Sequence, residues 1–370
     1  MRGRFWLVIA GVGLCAACTP SAKLPALSGD DIAAERRVQE IAQLRDYYGQ
    51  LHRLDTVAYR IRTANREYCK AWVEPQIGLF AATPRSLPRK FQSYTAEALG
   101  LRWVRATVVS VVDSSPAAKA GIINGDELLS FDGIPVPVSG TTRWINRYLK
   151  ENGEHPFEVT LLRDSEERKF TVTPVMGCAI PVNLDVNAVP NAFTDFKKIV
   201  IQSGIMRIAR TDAELALIVG HELAHVTMGH YQKKTFNAFA GEFGGALVDG
   251  GFLLGGIYTS GAFSKYLEHA GAQAFSIGFE READYVGAYY AVRAGYDIAG
   301  AEQIWRAMAL ENPTSIRAAS THPTAPVRFL QMKKVAEEIA GKKRLNLPLV
   351  PDLKVPQTQP AAAAAPDNIF

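Results

Sequence analysis

Along this chain the apolar positions switch between a helical and a strand period, and each switch marks an element. From Asp30 to Tyr68 the pattern is charged and helix-periodic, which predicts one long helix wrapping the core. Val108-Val-Ser-Val-Val112 reads as a strand, and Phe157-Glu-Val-Thr-Leu-Leu162 with Lys169-Phe-Thr-Val-Thr173 as a closing hairpin. Between these, Pro116 starts a short helix that Gly121 ends, Gly125-Asp126 turns into the next strand, and Asp132-Gly133 makes a tight hairpin turn. Thr141 to Asn152 predicts a further helix in the same segment. After the strand Lys197-Lys-Ile-Val-Ile-Gln202 the helical period returns. Thr211 and Glu214 form a capping box ahead of the apolar run Ala213–Val219. Ala272 to Ala294 predicts another helix, closed by Gly295, and Ala325 to Ala340 a last one.

A β-rich segment is therefore set into an otherwise helical chain, and 370 residues suffice for two domains. The fold class is α+β. A net charge of +4, scattered along the sequence, speaks against a nucleic-acid partner. The Gly-rich run from Phe236 to Ala262 lacks the strand-then-helix setting of a phosphate loop, and Glu242 and Asp249 argue against a membrane span. Close helix packing, a flap over a site and a surface dipping into lipid headgroups remain open for it. The chain from 346 onward, Pro/Ala-rich from Gln357, is expected to be a disordered tail.

Chemistry enters with His221-Glu222-Leu-Ala-His225. Residues four apart stand one above the other on a helix, so both imidazoles can grip one ion while Glu222 reaches a water bound to it. A third ligand has to come from elsewhere. On the second helix, Glu280-Arg-Glu-Ala-Asp284 places carboxylates at i and i+4, one to bind the metal and one to orient a ligating His. Ala283, Gly287, Ala288 and Ala291 around them suggest a helix packed closely on a neighbour, where a buried Glu280 needs a cation. Glu282 competes for the same role. A solvated acidic face is the plain alternative.

His221-Glu-Leu-Ala-His225-Val-Thr-Met-Gly-His230, then Glu280-x-x-x-Asp284, then His322-Pro323 resembles the HtpX-like zinc metallopeptidases, a gluzincin family that includes CAAX prenyl endopeptidases and the periplasmic β-barrel assembly-enhancing protease. The similarity covers about Val182 to Ala340, and Asn191-Ala-Phe193 with Lys197–Gly204 is similar to the strand preceding the active-site helix. The resemblance implies a mainly helical metallopeptidase core with a small sheet, at 176–345, joined by the helical segment 30–75. It implies one Zn2+ held by His221, His225 and Glu280, with Glu222 as catalytic base and Asp284 behind the ligands. The family spacing favours Glu280 over Glu282. Three protein ligands leave a fourth position for water, whose pKa falls towards ~7, and Glu222 would take its proton and pass it to the leaving amine. His322 and Arg328, in a segment similar to the family's His-Pro stretch, are candidates for stabilising the oxyanion; a gating His322 or a salt-bridged helix start is the alternative. His230 is expected at a helix end, and His52, His155 and His269 at the surface. The strand 197–202 either offers an edge to an extended substrate or fills the interior of the sheet.

Arg2 and Arg4 followed by the apolar run Phe5–Leu14 read as a secretory signal, too short for the ~20 residues that span a bilayer. Ala16-Ala17-Cys18 resembles the bacterial lipoprotein cleavage box, with Cys15 where Leu is usual. The resemblance implies a signal over 1–17, lipidation at Cys18 and a tether over 18–29, with ordinary cleavage or a retained anchor as alternatives. Thr19 fits outer-membrane sorting. Cys69 and Cys178 remain, and an oxidising compartment favours pairing them as a staple at the ends of the β-rich insert; two buried thiols are the alternative.

The insert, over roughly 92–175, resembles a PDZ domain of bacterial periplasmic proteases, carried by Val108–Val112 and Ser115–Gly133. The resemblance implies that a C-terminal peptide adds as a strand, with its carboxylate in a loop expected at Leu99-Gly100-Leu101. A spacer or lid is the alternative. The expected function is a lipid-anchored zinc endopeptidase of the periplasm acting on misfolded or stalled envelope polypeptides. A chaperone or assembly adaptor for outer-membrane proteins, with a gated or little-used metal site, is the second reading.

Overall fold

The structure is a computed structural model that describes residues 24–70, 72–195, 197–230, 233, 262–317 and 324–353, the side chains of 262–276 aside. Helix α1 (Gly29–Ala64) opens on Ser28, whose hydroxyl accepts from the Asp31 N–H at 3.0 Å. It ends earlier than the Tyr68 expected, and the chain continues through a 3-10 turn at Arg66–Cys69.

Next come β1 (Val73–Gln76), β2 (Leu79–Ala82), α2 (Thr95–Leu99), β3 (Ala106–Val111), α3 (Pro116–Ala120), β4 (Glu127–Phe131), β5 (Ile134–Pro135), α4 (Thr141–Asn152), β6 (Phe157–Arg163), β7 (Glu166–Val172) and β8 (Val175–Cys178). One six-stranded sheet takes the order β2-β3-β4-β6-β7, with β5 on β4. Phe131, Ile145, Leu149, Phe157, Val159 and Leu161 fill its core under α4. The unit therefore begins with β2, ahead of Gln92.

The chain enters and leaves this unit through one neck. β1 and β8 pair antiparallel, Val73 opposite Cys178, and beside them Cys69 is bonded to Cys178 with Cα atoms 5.5 Å apart. Cys178 is fully buried.

The helical part carries β9 (Val182–Asp185), β10 (Ala192–Thr194), β11 (Ile199–Gln202), α5 (Ser203–Ile208), α6 (Asp212–Thr227), α7 (Ala262–Arg293), α8 (Gln303–Glu311) and α9 (Ala325–Arg344). Its sheet has the order β10-β11-β9. The strand expected at 197–202 is thus β11, the buried middle strand, and the edges are β9 and β10, with Phe193 of β10 exposed. Three apolar residues in a row, Ile-Val-Ile, followed by a buried Gln202, suit a strand covered on both faces. α7 begins before Ala272, and Gly295 closes it with φ 87°.

α1 belongs to both parts. Its Leu54, Val57 and Ile61 lie in the core of the helical part with Ile201, Leu223 and Tyr290. Nearer its start, Leu44 packs with Ala82, Leu87 and Leu101. Leu99-Gly100-Leu101 is therefore not an open loop. It caps the short α2 with Gly100 at φ 67°, and Arg45 of α1 donates to the Ala98 and Glu97 carbonyls there. The loop that leads into the edge strand β2, beside α4, is Gln76-Ile77-Gly78, and Gly78 at φ 66° lies so close to Ser115 that a Cβ would meet it at 2.3 Å. His52 is half-buried rather than at the surface, its Nδ1 2.7 Å from Ser110 Oγ of β3. His155 is exposed. Cys18, the signal and tether up to residue 23, the Gly-rich run 236–261, the side chain of His269, His322 and the tail 357–370 lie outside the described residues.

Candidate metal centre

The capping box at the start of α6 forms as the sequence predicts: Thr211 Oγ1 accepts from the Glu214 N–H at 3.2 Å, and Glu214 Oε2 accepts from the Thr211 N–H at 3.0 Å. From that start α6 runs buried through His221, Glu222 and Leu223. It crosses α7 at glycines. A Cβ on Gly220 would lie 2.5 Å from the Gly287 carbonyl oxygen, and one on Gly287 would lie 2.6 Å from the His221 nitrogen. Only two residues without side chains let the helix backbones approach this closely. That approach carries Glu280, two turns before Gly287, to the motif.

His221, His225 and Glu280 each present one donor atom, all within 4.8 Å of one another. The His221 and His225 Nε2 atoms are 3.0 Å apart, and Glu280 reaches them at 3.3 and 3.4 Å. Asp284, one turn further along α7, accepts from His221 Nδ1 at 2.9 Å. Its other partner is Arg328 of α9, which donates from Nε at 2.8 Å and from its terminal nitrogen at 2.5 Å. Arg328 is buried, and its guanidinium lies 3.6 Å over the Trp305 ring. So Arg328 lines the cleft, with its donors directed at Asp284.

The charges follow from this packing. Burial works against a proton on His221, yet hydrogen bonds to Asp284 and Glu280 and the Asp284 charge outweigh it and hold the ring up at about 10. Burial pushes His225 down to about 4, helped by charge on His221. Burial would raise Asp284, but Arg328 and His221 bring it down to about 2. Two imidazole nitrogens converging on a carboxylate, all buried, make a cation-shaped demand for positive charge. Two nitrogens and one carboxylate oxygen are a donor set that suits zinc, so the residues present fit that ion.

A cleft of about 420 Å³ opens over this group, lined by His221, Glu222, Ala192 of β10, Trp305, Met308 and Arg328. Glu222 is buried beside the ligand set and faces the same space. Glu282, the competitor of Glu280, points elsewhere: its carboxylate is 2.9 Å from His230 Nε2. His230 lies past the end of α6 as expected, but Gly229 at φ 65° turns the chain back, and His230 Nδ1 comes within 3.0 Å of His225 Nδ1. A spacing of five residues from His225 shares no helix face, so sequence reasoning gave His230 no part. The Gly directly before it was the available signal.

The family model of Peptidase family M48 matches residues 180–336, and that of the PDZ domain matches residues 78–173. None of the curated proteins matches the chain. Among solved structures, the HtrA-type protease AlgW with a decapeptide is similar at 23% identity, covering 28% of this chain and 30% of that one, with a TM-score of 0.23. The HtrA3 PDZ domain bound to a phage-derived ligand is similar at 18% identity, covering 28% of this chain and 88% of that one, with a TM-score of 0.21. The chain thus spans less than a third of the AlgW chain's length.

Proposed function

We propose that this chain, a metallopeptidase of family M48 with a PDZ domain, is a zinc-dependent endopeptidase of the bacterial cell envelope. The observation that carries the reading is the convergence of His221, His225 and Glu280, with Glu222 on the wall of the same cleft. These three side chains would hold the ion. A zinc ion bound there supplies Lewis acidity and lowers the pKa of a water. Glu222 takes the proton of the attacking water and delivers it to the leaving amine. Asp284 keeps the His221 Nδ1 protonated and its Nε2 available, and Arg328 neutralises Asp284 so that the buried carboxylate stays ionised.

The edge of β10 supports binding of an extended polypeptide, because its backbone groups adjoin the cleft through Ala192. Misfolded or stalled envelope polypeptides, which expose such segments, are the substrates we assign. The β2 edge beside α4 supports capture of a peptide C-terminus, with the Gln76–Gly78 loop as the place for its carboxylate. The Cys69–Cys178 bond supports an oxidising compartment, and the Cys18 box supports a lipid anchor there, in the outer membrane by the residue that follows it. Among the described residues no helix is long and apolar enough to cross a membrane.

The test is zinc content and cleavage of unfolded casein by the purified protein truncated at Cys18, alongside Glu222→Gln. Zinc near one per chain in both, with cleavage lost in the variant, is the expected result. Zinc bound with no cleavage by either protein favours the chaperone or adaptor reading; absence of zinc from the wild type sinks the metal centre.

A further inference from the structure

The two imidazole ligands are held in different ways, and the second way involves residues with no role so far. His221 meets a carboxylate directly, Asp284 at 2.9 Å. Among the described residues, His225 meets a ring rather than a carboxylate on its outer nitrogen. Its Nδ1 faces His230 Nδ1 at 3.0 Å, and His230 Nε2 faces Glu282 Oε2 at 2.9 Å. His230 is buried at 3% exposure and stacked on Phe279, ring centroids 4.8 Å apart and planes 19° apart, while the His225 ring stands at 84° to it. The plane of His230 is thus fixed by the neighbour on α7, and its two nitrogens by the groups at either end.

We propose that His230 and Glu282 are positioning residues that set the tautomer and orientation of His225 for metal binding. The proposal rests on the metal-centre reading above. A carboxylate only accepts, so the proton on a neutral His230 sits on Nε2, towards Glu282. Its Nδ1 is then an acceptor, and the proton between the two rings belongs to His225 Nδ1. That leaves His225 Nε2 as a lone pair, and Nε2 is the atom that converges with His221 Nε2 and Glu280. The opposite tautomer would put a hydrogen where the ion has to be. Three acidic residues on one stretch of α7 thereby serve three rings: Glu280 faces the ligand pair, Asp284 backs His221, and Glu282 backs His225 through His230.

The test uses the purified protein with ¹⁵N-labelled histidine, metal-free, and then zinc affinity by competition with a chelator. In the wild type, His225 carries its proton on Nδ1. In His230→Ala that preference is lost, and zinc affinity falls roughly 10–100-fold, the range for removing a partner behind a ligand. His230→Gln, whose amide can accept from His225 and donate to Glu282, restores the tautomer and most of the affinity. Glu282 keeps 35% of its side chain exposed, so Glu282→Ala preserves the fold and gives the same loss if His230→Ala does not fold. If zinc binds the wild type and the variants equally well, or if affinity falls while the His225 tautomer stays as it was, the positioning role is overturned and the metal centre stands. Failure of the wild type to bind zinc overturns both.

Discussion

Gly220 and Gly287 touch backbone to backbone where α6 crosses α7, and this contact sets the distance between the two halves of the metal centre. A methyl group at Gly287 would meet the His221 nitrogen at 2.6 Å, backbone that has no flexible end to give way. Gly287→Ala should therefore force the helices apart, destabilise the protein by about 1–3 kcal/mol and lower zinc content together. Thermal unfolding of the metal-free protein and metal analysis of the same sample check both halves. An Ala substituted at Gly278, which has open space around it, is the matched control.

Arg328 and Asp284 form a buried ion pair, and breaking such a pair strands a charge. Arg328→Ala should cost about 3–5 kcal/mol by urea unfolding at neutral pH. Asp284 has its folded pKa depressed to about 2, so its contribution is present above the unfolded value near 4 and is lost as pH falls towards 2. The gap between wild type and variant should accordingly narrow on acidification through that window.

Zinc uptake should release protons. In the metal-free protein the His221 pKa is raised to about 10, so the ring is protonated at pH 7, whereas His225 at about 4 is neutral. Zinc needs both rings unprotonated on Nε2. Binding near pH 7 should release about one proton from the pair, and affinity should strengthen with rising pH until His221 titrates. Calorimetry in buffers of different ionisation enthalpy measures the number directly.

Gln202 donates its backbone N–H to the Asn191 carbonyl, so alternation along the antiparallel pair directs the Ala192 N–H away from β11, towards the open edge of β10. Ala192→Pro removes that donor. Cleavage of unfolded proteins should weaken mainly through KM, with zinc content unchanged. A variant that cleaves casein with wild-type KM would show that substrate does not pair with this edge.

Reducing the Cys69–Cys178 bond frees a loop of 109 residues, and the chain-entropy relation puts the loss at about 4–5 kcal/mol. The midpoint of urea unfolding with and without reductant measures it. The neck β1–β8 lies beside the bond, so exchange protection of Val73–Gln76 should fall with it.

What the sequence by itself determined is local or carried by motif. The capping box at Thr211 and Glu214, the short helix from Pro116 to Gly121, and the ligand spacing of His221 and His225 follow from side chains within one or two turns, and they stand where the pattern put them. The choice of Glu280 over Glu282 came from the family resemblance, and the packing sets Glu280 against the two rings and Glu282 against His230. Three other features were decided by tertiary structure, because each depends on residues far apart in sequence. β11 is a middle strand only because β9 and β10 flank it. Leu99-Gly100-Leu101 packs on α1, more than forty residues earlier, through the buried Leu101, so the loop before β2 takes the place beside the sheet edge. His230 enters the centre because Gly229 reverses the chain and Glu282 of α7 waits at the other side. Periodicity reports which face of an element is apolar; which element meets that face is settled by packing.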